Sequence, residues 1–334
     1  MRRAFVTGGS GFVGRNLLEA LQARQVPTVA LARSDVSAAA CAGRGARVAR
    51  GDLDDVEAMA AAMTGCDVVF HCAAHVLEWD RPEVFARVNV DGTANVIAAA
   101  KRARVERLVH VSTEAVLVGA ASHEPIVAAN EGRPIPATPL PLYPASKAAA
   151  ELLVRKAAAD LHTVIVRPRF IWGAGDTSLL PQLIEAVLAR RFRWIAGGHY
   201  KTSTCHVRNC VEGMLRAAER GGRGETYFLT DGPPVELRGF LRDLLSTQGF
   251  DAGHRTIPRG VARALASAGE AIGRLRGYRW RPPITHLTLR LMGEEVTVDD
   301  TKARAEIGYT GAVKPQDGLT EMRHARATTV SETP

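Results

Sequence analysis

The stretch Thr7-Gly8-Gly9-Ser10-Gly11-Phe12-Val13-Gly14 constrains this chain more than any other. A short apolar run, Ala4-Phe5-Val6, precedes it, and Leu17, Leu18 and Leu21 follow at helical spacing. The glycines therefore sit where a strand turns into a helix. Glycine lets a backbone turn tightly and approach a ligand, and the free N–H groups at a helix start attract an anion. The spacing reads as Gly9-x-Gly11-x-x-Gly14 or as Gly8-x-x-Gly11-x-x-Gly14. In either reading the strand–loop–helix context predicts a dinucleotide pyrophosphate on Gly8 to Gly14, with Ser10, Phe12 and Val13 among the contacts.

Short apolar runs then alternate with amphipathic patterns, which predicts an α/β chain with a doubly wound parallel sheet. The second strand, Thr28 to Leu31, ends at Ala32-Arg33-Ser34-Asp35, about twenty residues past the glycines, where an adenosine ribose is read. An acidic residue there would bind the ribose hydroxyls, whereas Arg33 and Ser34 suit a 2′-phosphate. NADP(H) is therefore favoured, with NAD(H) the alternative. A third strand, Arg47 to Arg50, leads to Asp52-Leu53, expected beside the adenine. The fourth, Val68-Val69-Phe70, opens into His71-Cys72-Ala73-Ala74-His75, where the small Ala73 and Ala74 let the chain pass close beneath the cofactor. His71 and His75 are read as strand-end residues rather than catalysts. One long helix is expected from about residue 83 to 104.

The fifth strand, Leu108 to Val111, ends in Ser112-Thr113-Glu114. An irregular, proline-bearing stretch from Gly119 to Leu142 follows, expected to form an active-site wall or lid. It gives way to Tyr143-Pro144-Ala145-Ser146-Lys147 and an alanine-rich helix, on which Tyr143 and Lys147 are one turn apart and share a face. A phenol near its usual pKa of about 10 is a poor acid–base group at neutral pH. An ammonium one turn away and a positive nicotinamide ring would stabilise the phenolate. A hydroxyl from Ser112 or Thr113 would then hold a substrate oxygen while Tyr143 moves a proton.

With 334 residues, 46% hydrophobic and 23% charged, the chain has the make-up of an ordinary globular protein. Its five cysteines form no C-x-x-C pair, and Cys205, His206 and Cys210 lack the companions of a metal site, so no metal is expected. Net charge is +8, but the arginines are scattered and aromatics make up only 5%, which argues against a nucleic-acid partner. No leader-like segment and no bilayer-length apolar run is read, so a cytoplasmic protein is expected. The basic amphipathic pattern from Arg259 to Leu275 adds peripheral membrane contact as an alternative.

Taken together, Thr7 to Gly14, Asp52-Leu53, Ser112-Thr113 and Tyr143-x-x-x-Lys147 resemble the extended short-chain dehydrogenase/reductase family. Val166-Arg167-Pro168-Arg169-Phe170-Ile171-Trp172-Gly173 and His206-Val207-Arg208-Asn209 are similar to the 3β-hydroxysteroid dehydrogenase branch, within the NAD-dependent epimerase/dehydratase superfamily. The resemblance implies a Rossmann domain over 1–170 and a smaller, mainly substrate-binding region over 171–325, some of which returns to the Rossmann domain. It implies Thr113, Tyr143 and Lys147 as the catalytic set, with Tyr143, Lys147, Pro168 and Phe170 also beside the cofactor. Glu114, Phe170 and Trp172 are expected to contact a lipophilic substrate. The activity implied is interconversion of a ketone and a secondary alcohol on a sterol-like or long-chain 3-keto substrate, in a homodimer. The alternative is a sugar-nucleotide epimerase or dehydratase with tightly held NAD.

Overall fold

The structure is a computed structural model and describes residues 1–120 and 124–331. Among the described residues fifteen strands appear in chain order: β1 Ala4–Thr7, β2 Thr28–Ala32, β3 Arg47–Arg50, β4 Val68–His71, β5 Arg107–Val111, β6 Ile126–Ala129, β7 His162–Pro168, β8 Ile171–Trp172, β9 Trp194–Ile195, β10 Lys201–Thr202, β11 Cys205–His206, β12 Thr226–Leu229, β13 Val235–Glu236, β14 Thr256–Ile257 and β15 Val296–Val298. Seven of them form one sheet in the order β12-β7-β5-β4-β1-β2-β3, every pair parallel. Runs such as Ala4–Thr7 and Val68–His71 are buried along their whole length, as strands covered on both faces must be. One face packs Leu17, Leu18 and Leu21 with Val211, Met214 and Leu215. The other packs Met59 and Met63 with Val96, Ala100 and Val154. This is the doubly wound Rossmann architecture.

Strand order reverses between β1 and β4, which opens a crevice at the carboxyl ends of the strands. Chain connectivity does not stop at residue 170: β12 pairs with β7, from Thr226↔Ile165 to Leu229↔Pro168. The helix Val207–Arg220 also buries its apolar face against the main sheet.

The remaining strands form a four-stranded sheet, β13-β10-β15-β6, and two short pairs, β11-β8 and β14-β9. A separate core gathers Phe170, Trp172, Leu183, Trp194, Phe240, Leu244 and Met322. Three segments differ from sequence expectation. The stretch after Gly119 is not a free lid, because β6 is held between residues 126 and 129 by β15; residues 121–123 of that stretch lie outside the described residues. The helix expected from 83 to 104 is broken into Pro82–Phe85, a π-helical segment Ala86–Asp91 and Gly92–Arg102. The C-terminal stretch, polar from about Met322 onward and for that reason expected to fray, forms the helix Pro315–Ser331 and buries Met322. Among the described residues no helix is long and apolar enough to cross a membrane.

Candidate active site

The glycine loop is built by steric necessity. Gly8 has φ +70°, and a Cβ there would lie 2.6 Å from the Ala73 nitrogen. A Cβ on Gly14 would lie 2.0 Å from the Gly8 carbonyl oxygen, so the Phe12–Ala23 helix starts close against the loop only because that position is glycine. The Gly11 N–H donates to the Gly8 carbonyl at 3.0 Å and tightens the turn. In front lies a cavity of about 670 Å³ at the ends of β1, β2 and β4, lined by Gly8, Ser10, Gly11, Leu53, Ala73 and Ala74 among others. A backbone cradle without side chains, at a helix start and beside a cavity of that size, fits a dinucleotide. Gly9, Phe12, Val13 and Gly14 support this loop from behind and do not line the cavity.

At the outer end, Arg33 and Asp52 face the cavity together with Arg81 and Arg87, which sequence reasoning missed. The Arg33 side chain is 71% exposed and stands 3.9 Å from the Asp52 carboxylate, while Arg87 is likewise 3.9 Å from Asp52 and 2.7 Å from Asp54. Nothing local in the sequence marks Arg87, since a helix places it there from beyond β4. Ser34 is committed elsewhere: its hydroxyl accepts from the Ser37 N–H at 3.2 Å and caps the following helix.

At the inner end, consecutive hydroxyls part company. Ser112 donates to Glu151 at 2.8 Å, and Arg167 grips the same carboxylate through two nitrogens at 2.5 and 3.0 Å. Thr113 donates to Glu114 at 2.8 Å, and Arg169 grips Glu114 at 2.9 Å. Of the two hydroxyls, Thr113 is the one that acts on the Tyr143 phenol, lowering its pKa. Ser112 is thus bound into the interior, and Thr113 is the hydroxyl that meets Tyr143. Thr113 has one proton to give: pointed at Glu114 it leaves Tyr143 as the donor, and turned to Tyr143 it steadies a phenolate.

Burial, and after it the Glu114 charge, pushes the Tyr143 phenol above its ordinary range, with Thr113 opposing. Lys147 is not among the causes in the protein alone; the expected lowering is by Lys147 together with a bound nicotinamide ring. The Lys147 ammonium is directed instead to the Val111 carbonyl at 2.8 Å and to His110 at 3.3 Å. Burial pushes Lys147 down to about 8, with Glu151 opposing, so it still carries its charge at neutral pH. Burial and then the Lys147 charge bring His71 to about 3, and the same causes hold His110 well below its usual value. His71 is fixed by Thr7 at 2.7 Å and Thr93 at 3.0 Å, so it serves as a neutral structural link. Asn89, in the π-helical segment, donates to Ser146 at 2.9 Å, and Ser146 donates to the Tyr143 carbonyl at 2.9 Å. Leu142, immediately before Tyr143, has φ +67°, a strained setting that swings the chain into the helix.

Three expected substrate contacts are placed differently. Trp172 is fully buried, its indole N–H donates to Asp231 at 2.8 Å, and its ring packs on Phe240. Phe170 lies in the same core, edge-on to Phe240, with Arg169 over its ring. Both are packing residues, because the second core had to be filled by the segment leaving β7. Glu114 is 3% exposed, its carboxylate taken up by Thr113 and Arg169. Pro168 is buried in the last register pair of β7 with β12. The residue most readily missed is Glu151. Its signal was present: Tyr143, Lys147, Glu151 and Arg155 recur every four residues along one helix.

Comparison with known proteins adds to this geometry. The chain matches the NAD dependent epimerase/dehydratase family over residues 4–229. It is 52% identical, over 97% of its length and 96% of the relative's, to the 4-hydroxy-2-methyl-3-oxo-4-farnesyl-3,4-dihydroquinoline-1-oxide ketoreductase of Stigmatella aurantiaca. It is 30% identical, over 96% of its length and all of the relative's, to the decarboxylating sterol-4-alpha-carboxylate 3-dehydrogenase of Dictyostelium discoideum. In three dimensions it resembles the dTDP-glucose 4,6-dehydratase DesIV of Streptomyces venezuelae, with a TM-score of 0.73, 23% identity and 98% coverage of both chains, a likeness of fold. The chain therefore belongs to the NAD dependent epimerase/dehydratase family, in the 3β-hydroxysteroid dehydrogenase-like branch of the extended short-chain dehydrogenases/reductases, and is an NAD(P)-dependent oxidoreductase.

Proposed function

We propose that this protein is an NADP(H)-preferring ketoreductase that interconverts a ketone and a secondary alcohol on a lipophilic substrate. The observation that carries the reading is the buried Tyr143 phenol beside the Thr113 hydroxyl, which lowers its pKa against the pull of burial, with Lys147 one turn along the same helix. When bound, the cofactor supplies or accepts a hydride at the substrate carbon. The glycine loop holds its pyrophosphate, and Lys147, charged below pH 8, holds its nicotinamide ribose. Tyr143 gives the carbonyl oxygen its proton in reduction and takes it back in oxidation. Thr113 orients that oxygen, turning its single proton away from Glu114 to do so.

Preference for NADP(H) is supported by Arg33, loosely paired and exposed enough to swing onto a 2′-phosphate, with the exposed Arg87, paired to Asp54, beside it. The lipophilic substrate is supported by relatives named for a farnesyl quinoline oxide and for a sterol carboxylate. The epimerase or dehydratase alternative rests on the breadth of the family and on likeness of fold. The test is NADPH and NADH binding to wild type and Arg33→Asp, followed by turnover on lipophilic ketones. A preference for NADPH that collapses in the variant supports the reading; NADH preference unmoved by the substitution overturns the cofactor assignment.

A further inference from the structure

The buried Lys147 ammonium has three protons to place and no lone pair with which to accept. One proton goes to the Val111 carbonyl at 2.8 Å and one to His110 Nε2 at 3.3 Å. A tetrahedral ammonium held at two points has the direction of its third N–H fixed as well. Held by the Val111 carbonyl alone, it would turn about that one bond.

This contact decides the state of His110. Because the ammonium can only donate, Nε2 is the bare nitrogen of a neutral ring, and the ring proton sits on Nδ1. His110 Nδ1 has no hydrogen-bond partner among the described residues, although the residue is fully buried in β5. The His71 ring, 5.2 Å away, cannot supply one. Thr93 gives its proton to the Asn89 carbonyl at 2.6 Å, so it accepts from His71 Nε2, and Thr7 gives its own to His71 Nδ1. Both nitrogens of His71 are thereby taken. A buried N–H without an acceptor weakens a fold, and a phenylalanine of similar size would avoid it. What the imidazole adds is the acceptor on its other side, facing Lys147.

We propose that His110 is a positioning residue: its neutral imidazole takes one proton of Lys147, keeps that side chain charged and leaves the third N–H for the nicotinamide ribose. The role toward the ribose rests on the ketoreductase reading; the coupling of His110 to Lys147 does not. A hydrogen bond to the charged form favours it, so without the imidazole Lys147 should give up its proton at lower pH. The other groups facing the pair keep their charge across that titration. Burial holds the Cys72 thiol up and His71 down, Arg167 grips the Glu151 carboxylate, and burial holds the Tyr143 phenol above its ordinary range.

The experiment is a magnetic-resonance pH titration of the whole chain without cofactor, isotopically labelled at lysine Cε and in the histidine rings. The chain has six lysines, and the Lys147 signal is the one lost in Lys147→Met. Its wild-type midpoint is expected at about 8. His110→Phe should lower that midpoint by about one unit or more, a tenfold change in the proton-binding constant. His110→Gln, whose side-chain carbonyl can stand where Nε2 stood, should restore it. In wild type, independently of any variant, the His110 ring should carry its proton on Nδ1 and none on Nε2. A ring protonated on Nε2 overturns the proposal, as does a Lys147 midpoint indifferent to His110→Phe or equally lowered in His110→Gln. NADPH titrated into the same samples at about pH 8 reads the consequence for the cofactor. Binding should be roughly fivefold weaker in His110→Phe, following the fall in charged Lys147, and near wild type in His110→Gln. A midpoint that moves while NADPH affinity stays would overturn the role toward the ribose and leave the His110–Lys147 coupling standing, so the two readings fail separately.

Discussion

At the outer end of the cofactor cavity, Arg33 and Arg87 each approach Asp52 to only 3.9 Å, from side chains 71% and 64% exposed. At the inner end, Ser112 and Thr113 each give a hydroxyl to a buried carboxylate that a buried arginine holds. Exposed, loosely paired charges can reorganise around a phosphate and are screened by salt. Buried ion pairs hold a hydroxyl in place and tolerate no loss of a partner. The outer end is thus suited to selecting a cofactor and the inner end to keeping reacting atoms in register.

The largest effect expected is on chemistry. Tyr143→Phe should lower kcat by roughly 10²- to 10⁴-fold with cofactor affinity kept, as steady-state rates beside NADPH titration would show. Removing a buried carboxylate should cost stability instead. Glu151→Gln leaves Arg167 buried without its counter-charge and should destabilise by about 3–5 kcal/mol in urea unfolding. A change near zero would mean that the inner end is less dry than its packing indicates.

Lys147 sharpens the comparison by acting in the opposite direction. Its folded pKa, about 8, lies below the ordinary value of 10.5, so between them the unfolded chain binds more protons. The buried ammonium therefore weakens the fold at pH 7, and wild-type stability should gain from this group as pH rises from about 8 to 10.5. Lys147→Met should remove that rise, add about 1–3 kcal/mol at pH 7 and abolish turnover. Urea melts across the pH range check the sign.

The outer end should respond less. Arg33→Asp should weaken NADPH by roughly tenfold or somewhat more, with the melting temperature unmoved, since it removes an exposed phosphate contact. Smallest of all, Ser112→Ala should cost about 1 kcal/mol of stability and leave kcat nearly intact. A collapse of kcat in Ser112→Ala, with Thr113→Ala spared, would reverse the roles given to the two hydroxyls.

The glycine loop was legible because everything that defines it is local: a strand, a turn no Cβ can enter, and a helix. Tyr143 and Lys147 were legible for the same reason, being one turn apart. What escaped was long-range. Arg167 meets Glu151 and Arg169 meets Glu114 across separate elements, so the charge that raises Tyr143 is visible only once β5 and β7 lie side by side. Phe170 and Trp172 were misread because an apolar run leaving a strand can form a pocket wall or a core. The need to fill the space around Phe240 decided for the core.

The most direct test of the account is the stoichiometry of NADPH consumed to alcohol formed with a lipophilic ketone, in wild type and Tyr143→Phe. The account predicts one NADPH consumed per alcohol, with the reaction reduced to near background by the substitution. Ketone reduction that survives Tyr143→Phe would contradict it, as would turnover of a nucleotide sugar with no net cofactor consumption.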